Sequence, residues 1–396
     1  MTRGAALAVL AGLAAAPRVA AQAPPPDTAL VQGGIYQRPF IVAAGRTAVG
    51  GYLEAHGGWS RTDGISEGPS LEVRRFNVFL YSALGRRIRV TSELEFEHGT
   101  EEIALETALV DFVVTPSLVI RAGVVLTPIG AFNVNHDGPR YEFVDRPLVS
   151  TEIIPATLSE AGLGIHGRLA PPGVSLSYDV YLTNGLGSGV VLNETGRTHL
   201  PSGKGESLFA EDENGSPAAS VRVAAQHRQL GEVGLSHYRA VYNTWRMEGE
   251  RVDDPRWLSI TAVDLATGIG PVDLRGEVAF AGIDLPSDQG EVLGDRQWGV
   301  YLDAVMPVWR PKIRALDNPT VNVGVRLERV DFNVGRFTAT GGKRFDEVNA
   351  VSVAVSFRPL SGTVFRLNYR LESFRDVLGN PAERTAAVRL GVATYF

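Results

Sequence analysis

Cysteine is absent from all 396 residues, which removes disulfide frameworks and cysteine-based zinc sites. Lysine is nearly absent. Lys204, Lys312 and Lys343 are the three present, and arginine supplies the remaining positive charge. The formal net charge of −6 comes without a basic tail or stripe, which argues against nucleic acid as a partner. After the first residues no uninterrupted apolar run approaches the roughly 20 residues of a spanning helix, because a charge or a glycine breaks each one. Phosphate loop, dinucleotide fingerprint and zinc motif are all missing. Two settings remain: solution outside the cytoplasm, or a membrane crossed as strands.

What is present begins with an export pattern. Arg3 gives a positive start, Ala5 to Ala16 form a short apolar core, and Val19-Ala20-Ala21 fits a small-x-small cleavage site. A signal peptide is expected over 1–21. The Pro- and Ala-rich stretch 22–47 reads as a periplasmic leader, and 48–396 as one β domain.

In that domain the dominant signal is two-residue alternation, which marks strands with one apolar and one polar face. Arg87, Arg89, Thr91, Glu93, Glu95 and Glu97 alternate with Ile88, Val90, Leu94 and Phe96. Likewise Phe365, Leu367, Tyr369 and Leu371 alternate with Arg366, Asn368, Arg370 and Glu372, and Val272, Leu274, Val278 and Phe280 with Asp273, Arg275 and Glu277. A helix would scatter these charges round its circumference. Such segments predict sixteen strands, at 48–58, 71–84, 86–98, 101–115, 117–126, 160–170, 173–184, 218–228, 231–242, 256–267, 270–283, 295–309, 319–331, 346–358, 361–372 and 384–396.

Connections alternate between short turns, such as Pro171-Pro172-Gly173, and long segments, such as 127–159 and 185–217. Two joins depart from the rule: 99–100 is short, and 310–318 is longer than a turn. Sorting of this kind matches an antiparallel up-and-down transmembrane barrel, with short periplasmic turns and long external loops. Trp59, Trp245, Trp257, Trp298 and Trp309 fall at or near predicted strand ends, as an aromatic belt at the lipid interface requires. Val388, Leu390, Val392 and Phe396 share one face of a final strand that must pair with the first, since an open edge in lipid leaves backbone groups unsatisfied. The expected location is the outer membrane of a Gram-negative-type bacterium.

Ile120-Arg-Ala-Gly-Val-Val-Leu-Thr-Pro-Ile-Gly130 resembles the strand entering the third external loop of phosphate-selective porins of the O and P type. Asn133-Val-Asn-His-Asp137 and Phe143-Val-Asp-Arg-Pro-Leu-Val-Ser150 resemble porins of the same broad group, over about residues 117–185. The terminal Phe396 is similar to the signal shown to the barrel-assembly machinery. The resemblance implies a sixteen-strand homotrimeric porin whose third external loop folds into the lumen. It also implies a lumenal arginine ladder and a lysine ring, and here the sequence departs. Arg87, Arg89, Arg121, Arg222, Arg275, Arg326, Arg366, Arg370 and Arg389 stand among Glu93, Glu95, Glu97, Asp273, Glu277, Glu328 and Glu372 on the expected pore wall, and the third loop holds no lysine.

A barrel of this size leaves an aqueous channel, and passive diffusion of ions or small hydrophilic solutes needs a constriction and charges but no bond chemistry. The expected constriction is 127–159, with His136, Asp137, Arg140, Glu142, Asp145, Arg146 and Glu152. Asp137, Arg140, Asp145 and Arg146 are expected to set a transverse field with wall arginines such as Arg121 and Arg366. The alternative is that these charges pair and anchor the loop. No enzyme activity, metal or cofactor is expected. Gly64-Ile65-Ser66-Glu67-Gly68 matches a nucleophile-elbow pattern but lacks the helix that motif needs. His136-Asp137 has no accompanying ligand spacing, and Glu211 to Gly215 lacks the spaced ligands of a calcium loop. Competing readings are an outer-membrane barrel hydrolase and a plugged structural or adhesive barrel.

Overall fold

The computed structural model describes residues 42–44 and 47–396, apart from 67, 100, 206–207, 211, 213, 287–288, 290 and 317. The expected signal peptide and most of the expected leader lie outside the described residues. Val42–Ala44 pairs antiparallel with Thr47–Val49, so the end of that leader folds back on the first strand.

Sixteen long strands follow: β1 (Thr47–Thr62), β2 (Pro69–Leu84), β3 (Ile88–Glu97), β4 (Glu102–Thr115), β5 (Leu118–Leu126), β6 (Ser159–Leu169), β7 (Val174–Thr183), β8 (Ala218–His227), β9 (Gly231–Val241), β10 (Trp257–Ile269), β11 (Val272–Ile283), β12 (Arg296–Trp309), β13 (Thr320–Asp331), β14 (Glu347–Leu360), β15 (Thr363–Arg375) and β16 (Glu383–Tyr395). Each pairs antiparallel with the next. β16 returns to β1 in the register Tyr395↔Tyr52, Arg389↔Gly58 and Thr385↔Thr62, which closes the barrel. Phe396 extends the seam, its backbone exchanging hydrogen bonds of 3.0 and 3.1 Å with Gly51.

All sixteen predicted strands are present. β1 runs four residues further than its alternation suggests, because Trp59 to Thr62 find partners in Val388 to Thr385. Arg87 is a correction. It lies exposed in the β2–β3 turn, which Gly85 opens with a positive φ of 78°, and is not part of a strand wall. A two-stranded hairpin, Arg246–Met247 with Glu250–Arg251, sits unexpectedly in the 242–256 connection.

Polarity is inverted relative to a soluble protein. On β15, Phe365, Leu367, Tyr369 and Leu371 are 44–50% exposed, while Arg366, Asn368 and Arg370 between them are buried. β13 and β14 repeat the pattern with Val325 and Leu327, and with Val351, Val353 and Val355, exposed. Water would not tolerate so continuous an apolar girdle, but lipid is its natural solvent.

The inner face is not uniformly polar. Tyr238, Ala240, Leu258, Ile260, Ala262, Ala279, Ala281 and Ile283, from β9 to β11, are buried and form one apolar cluster with Val149, Ile153, Ile154, Leu158, Leu186, Val190 and Leu200 from two connections. Each large member contributes about 1.5–3 kcal/mol by burial. One side of the barrel interior is therefore dry.

Candidate functional site

The third long connection, 127–158, makes contacts that span the barrel. Gly130 N donates to Ser236 Oγ of β9 at 2.9 Å. Further along, Val144 N donates to Asn368 of β15 at 2.6 Å, Leu148 N to Glu328 of β13 at 2.8 Å, and Ser150 Oγ to Glu277 of β11 at 2.8 Å. Glycines on the wall make room for it. A Cβ on Gly299 would meet Val149 at 2.9 Å, and one on Gly391 would meet Val144 at 3.0 Å. Inward side-chain oxygens accept from its backbone amides, which gives an irregular segment the hydrogen bonds it cannot make with itself.

Each residue expected at the constriction has a defined place. His136 is buried, with Nδ1 2.9 Å from Asn133 O and Nε2 3.2 Å from Glu106. Asp137, also buried, accepts a 2.7 Å hydrogen bond from Tyr395 Oη. Arg140 donates to the same Tyr395 oxygen at 3.0 Å and lies 3.6 Å from Asp137. Its guanidinium keeps its proton even more firmly than an ordinary arginine: desolvation opposes the charge, but Asp137 and Tyr395 outweigh it. Burial pushes the neighbouring Tyr141 hydroxyl up to about 12. Glu142 receives Arg358 at 2.6 Å and the Ser356 hydroxyl. Glu152 lies 3.4 Å from His199. Asp145 and Arg146 differ from these, since both line a large cavity, with Asp145 3.7 Å from Arg389 and Arg146 donating to Thr157 at 3.3 Å.

The wall arginines are mostly closed by carboxylates. Arg121 forks onto Asp111 at 2.7 and 2.8 Å. Arg326 forks onto Asp303 at 2.6 and 2.7 Å and holds Asp145 O at 2.7 Å. Arg366 joins Glu54 at 2.7 Å to Phe143 O at 2.9 Å and Gly138 O at 3.3 Å. Arg370 pairs with Glu328 and Glu372. Arg275 is exposed and donates to Arg140 O at 3.3 Å, and Arg89 is half-buried in register with Asp111. Glu93 and Glu95 are buried against the Asn77 amide, at 2.7 and 2.8 Å. The fold brings Asp137 and Arg140 together as a pair on Tyr395 and sets Arg121 on Asp111.

Trp59 and Trp257 are exposed on the outer face toward the long connections, and Trp309 toward the short ones. Trp298 stacks across strands on Phe280 at 6.4 Å. Trp245 lies beyond β9 in a connection, its indole donating to Ser216 at 3.0 Å. Phe396 stacks on Phe76 at 5.5 Å.

The cavity has a volume of about 1100 Å³ and lies between β1–β4 and the 127–158 segment. Glu72, Arg75, Glu97, Arg146, Lys204 and Arg389 are among its lining residues. Desolvation, and next the Arg146 guanidinium, lower the Lys204 ammonium below the ordinary lysine range. Sequence reasoning missed Lys204 and the fourth connection that carries it, since a long external loop gives no sign of where it packs. It also missed the dry wall. A signal existed there: Val278 to Ile283 is apolar or glycine at every position, which marks a strand with apolar surroundings on both faces, lipid outside and packed protein inside.

No family model matches this sequence. A stretch of 146 residues is 32% identical to an uncharacterized protein of Aquifex aeolicus (strain VF5), covering 35% of this chain and 32% of that one. The chain thus spans about a third of the length of that relative. Its fold is similar to an anion-selective porin from Comamonas acidovorans, with TM-score 0.55, 12% identity, and coverage of 88% of this chain and 99% of that one. Salmonella typhi OmpF in complex with daunomycin gives 0.55 and 11%, over 88% and 97%. OmpT, an outer membrane protein of Vibrio cholerae, in trimer form gives 0.52 and 11%, over 89% and 100%. The chain is an outer-membrane β-barrel. An apolar girdle outside, ion pairs inside and sixteen closed strands place it in the outer membrane of a Gram-negative bacterium, with a porin-like architecture.

Proposed function

We propose that this barrel is a passive diffusion channel of the porin type, with 127–158 folded into the bore as its constriction. The observation that carries the reading is the polar cavity of about 1100 Å³ beside that segment, on the side opposite the dry wall. Small hydrophilic solutes and ions would pass along β1–β4, where Asp145, Arg146, Lys204 and Arg389 act as the field-setting charges. Asp137, Arg140, Glu142 and His136 would anchor the loop. Arg146, Lys204 and Arg389 would favour anions in the cavity, against Glu95, Glu97, Glu102 and Glu106 in the same lining. Phosphate selectivity of the O and P type has less support, because the arginines that would form a ladder are neutralised by carboxylates. The reading includes export by a cleaved signal, recognition of Phe396 by the assembly machinery, a homotrimer in lipid, and no bond chemistry.

Planar-bilayer recording with asymmetric salt tests this. Stepwise conductance with an anion-biased reversal potential is the expected result, and liposomes should swell in small sugars. A barrel that passes neither ions nor sugars would be a plugged structural protein. One observation favours an enzyme reading enough to test beside it: His199 Nδ1 lies 2.7 Å from Ser202 Oγ, and its Nε2 3.4 Å from Glu152. Covalent labelling by a fluorophosphonate that Ser202→Ala abolishes would select that reading.

A further inference from the structure

We propose that Glu93, Glu106 and His136 form a binding site for a divalent transition metal, zinc in the first place. One donor atom from each lies within 4.8 Å of the others, and all three side chains are buried. The residues come from three places: Glu93 from β3, Glu106 from the bulge where the β3–β4 register shifts, and His136 from the 127–158 segment. No sequence spacing could have announced such a set.

One further buried polar group points to a cation. Thr107 faces Glu93 directly across the β3–β4 pair, so both side chains stand on the same face. Its hydroxyl is fully buried and has no hydrogen-bond partner among the described residues. Asn77 aims its amide NH2 at Glu93, Glu95 and Glu106, at 2.7, 2.8 and 3.5 Å, so its carbonyl oxygen points away from the donor set. A buried hydroxyl without a partner, beside carboxylates, needs an explanation, and a bound ion supplies one. The Arg75 guanidinium is shared among Glu54, Glu95 and Glu97, at 3.2, 3.7 and 2.5 Å.

The imidazole geometry agrees. A carbonyl can only accept, so His136 Nδ1, 2.9 Å from Asn133 O, carries the proton. Nε2 then presents its lone pair toward Glu106 at 3.2 Å, where two acceptors meet and need a proton or a metal between them. An Nδ1–H held by a carbonyl is the usual support of a metal-ligating histidine. Calcium takes six to eight oxygens and magnesium keeps its waters, whereas one imidazole with two carboxylates suits zinc at roughly 2.0–2.2 Å. Thr107 Oγ1 or water would complete the shell. The ion would tie 127–158 to β3 and β4, next to the cavity.

The full chain in detergent, stripped with EDTA, is titrated with zinc chloride alone by calorimetry, and bound zinc is counted by emission spectroscopy. One zinc per chain is expected, weakened about 100-fold or more by His136→Ala and at least about tenfold by the isosteric Glu93→Gln. His227→Ala, at the end of β8 and outside the donor set, should leave uptake unchanged. Absence of saturable uptake would mean a protonated histidine–glutamate pair only and overturns the site. Uptake that both variants leave unaltered would mean adventitious surface binding and overturns it equally. Should His136→Ala fail to fold, Glu93→Gln and a zinc-dependent rise in wild-type melting temperature decide the matter.

Discussion

Arg366→Met removes the cation that joins the barrel wall to the 127–158 segment. In the folded protein this guanidinium is buried between the Glu54 carboxylate and two loop carbonyls, those of Phe143 and Gly138. Removing one partner of a buried ion pair costs about 3–5 kcal/mol. Glu54 keeps Arg75 at 3.2 Å and His56 at 2.9 Å, so the lower end, about 3 kcal/mol, applies. At about 1.4 kcal/mol per decade, the equilibrium for release of this part of the loop rises roughly 100-fold. The rest of the segment stays anchored through Ser150, Leu148 and the apolar cluster, so the loss is local. Hydrogen exchange across 138–144 should accelerate by a similar factor, and single-channel records should show long-lived higher-conductance states. Arg366→Lys should fall between, because an ammonium cannot reach carboxylate and both carbonyls together. If Arg366→Met gives wild-type conductance and wild-type exchange, the latch reasoning is wrong.

Ile153→Ala, at a fully buried position of the dry core, should lower stability by about 2–5 kcal/mol, read as earlier loss of the folded gel band on heating; an unchanged transition would mean that this half of the interior is wet. Lys204 loses its charge below the ordinary lysine pH, so anion preference should fall on titration from neutral pH upward, sooner than a solvent lysine allows. The unfolded chain still holds that proton, so stability rises with pH across the same window. Reversal potentials measured with Lys204→Met should lose the pH step. Deletion of Phe396 removes two backbone hydrogen bonds to Gly51 and the stack on Phe76, and should cut the yield of folded barrel in assembly assays with little change in secondary structure of the remainder.

Alternation along the chain was enough to define the sixteen strands, their order and which face of β3, β13 or β15 carries charge. Period-two polarity is a local property, and lipid enforces it on every strand independently. The turn–loop sorting that fixed the two rims is local in the same way. What the charges do was decided only on closure. Whether Arg366 faces an ion in water or a carboxylate in protein depends on Glu54, which lies 312 positions away, and on carbonyls from a loop with no periodicity. The dry wall, the cavity on the opposite side, and the meeting of Glu93, Glu106 and His136 depend on where two irregular segments pack. An irregular backbone satisfies its hydrogen bonds with whatever side chains surround it, so its path is written in the surrounding barrel and not in its own residues.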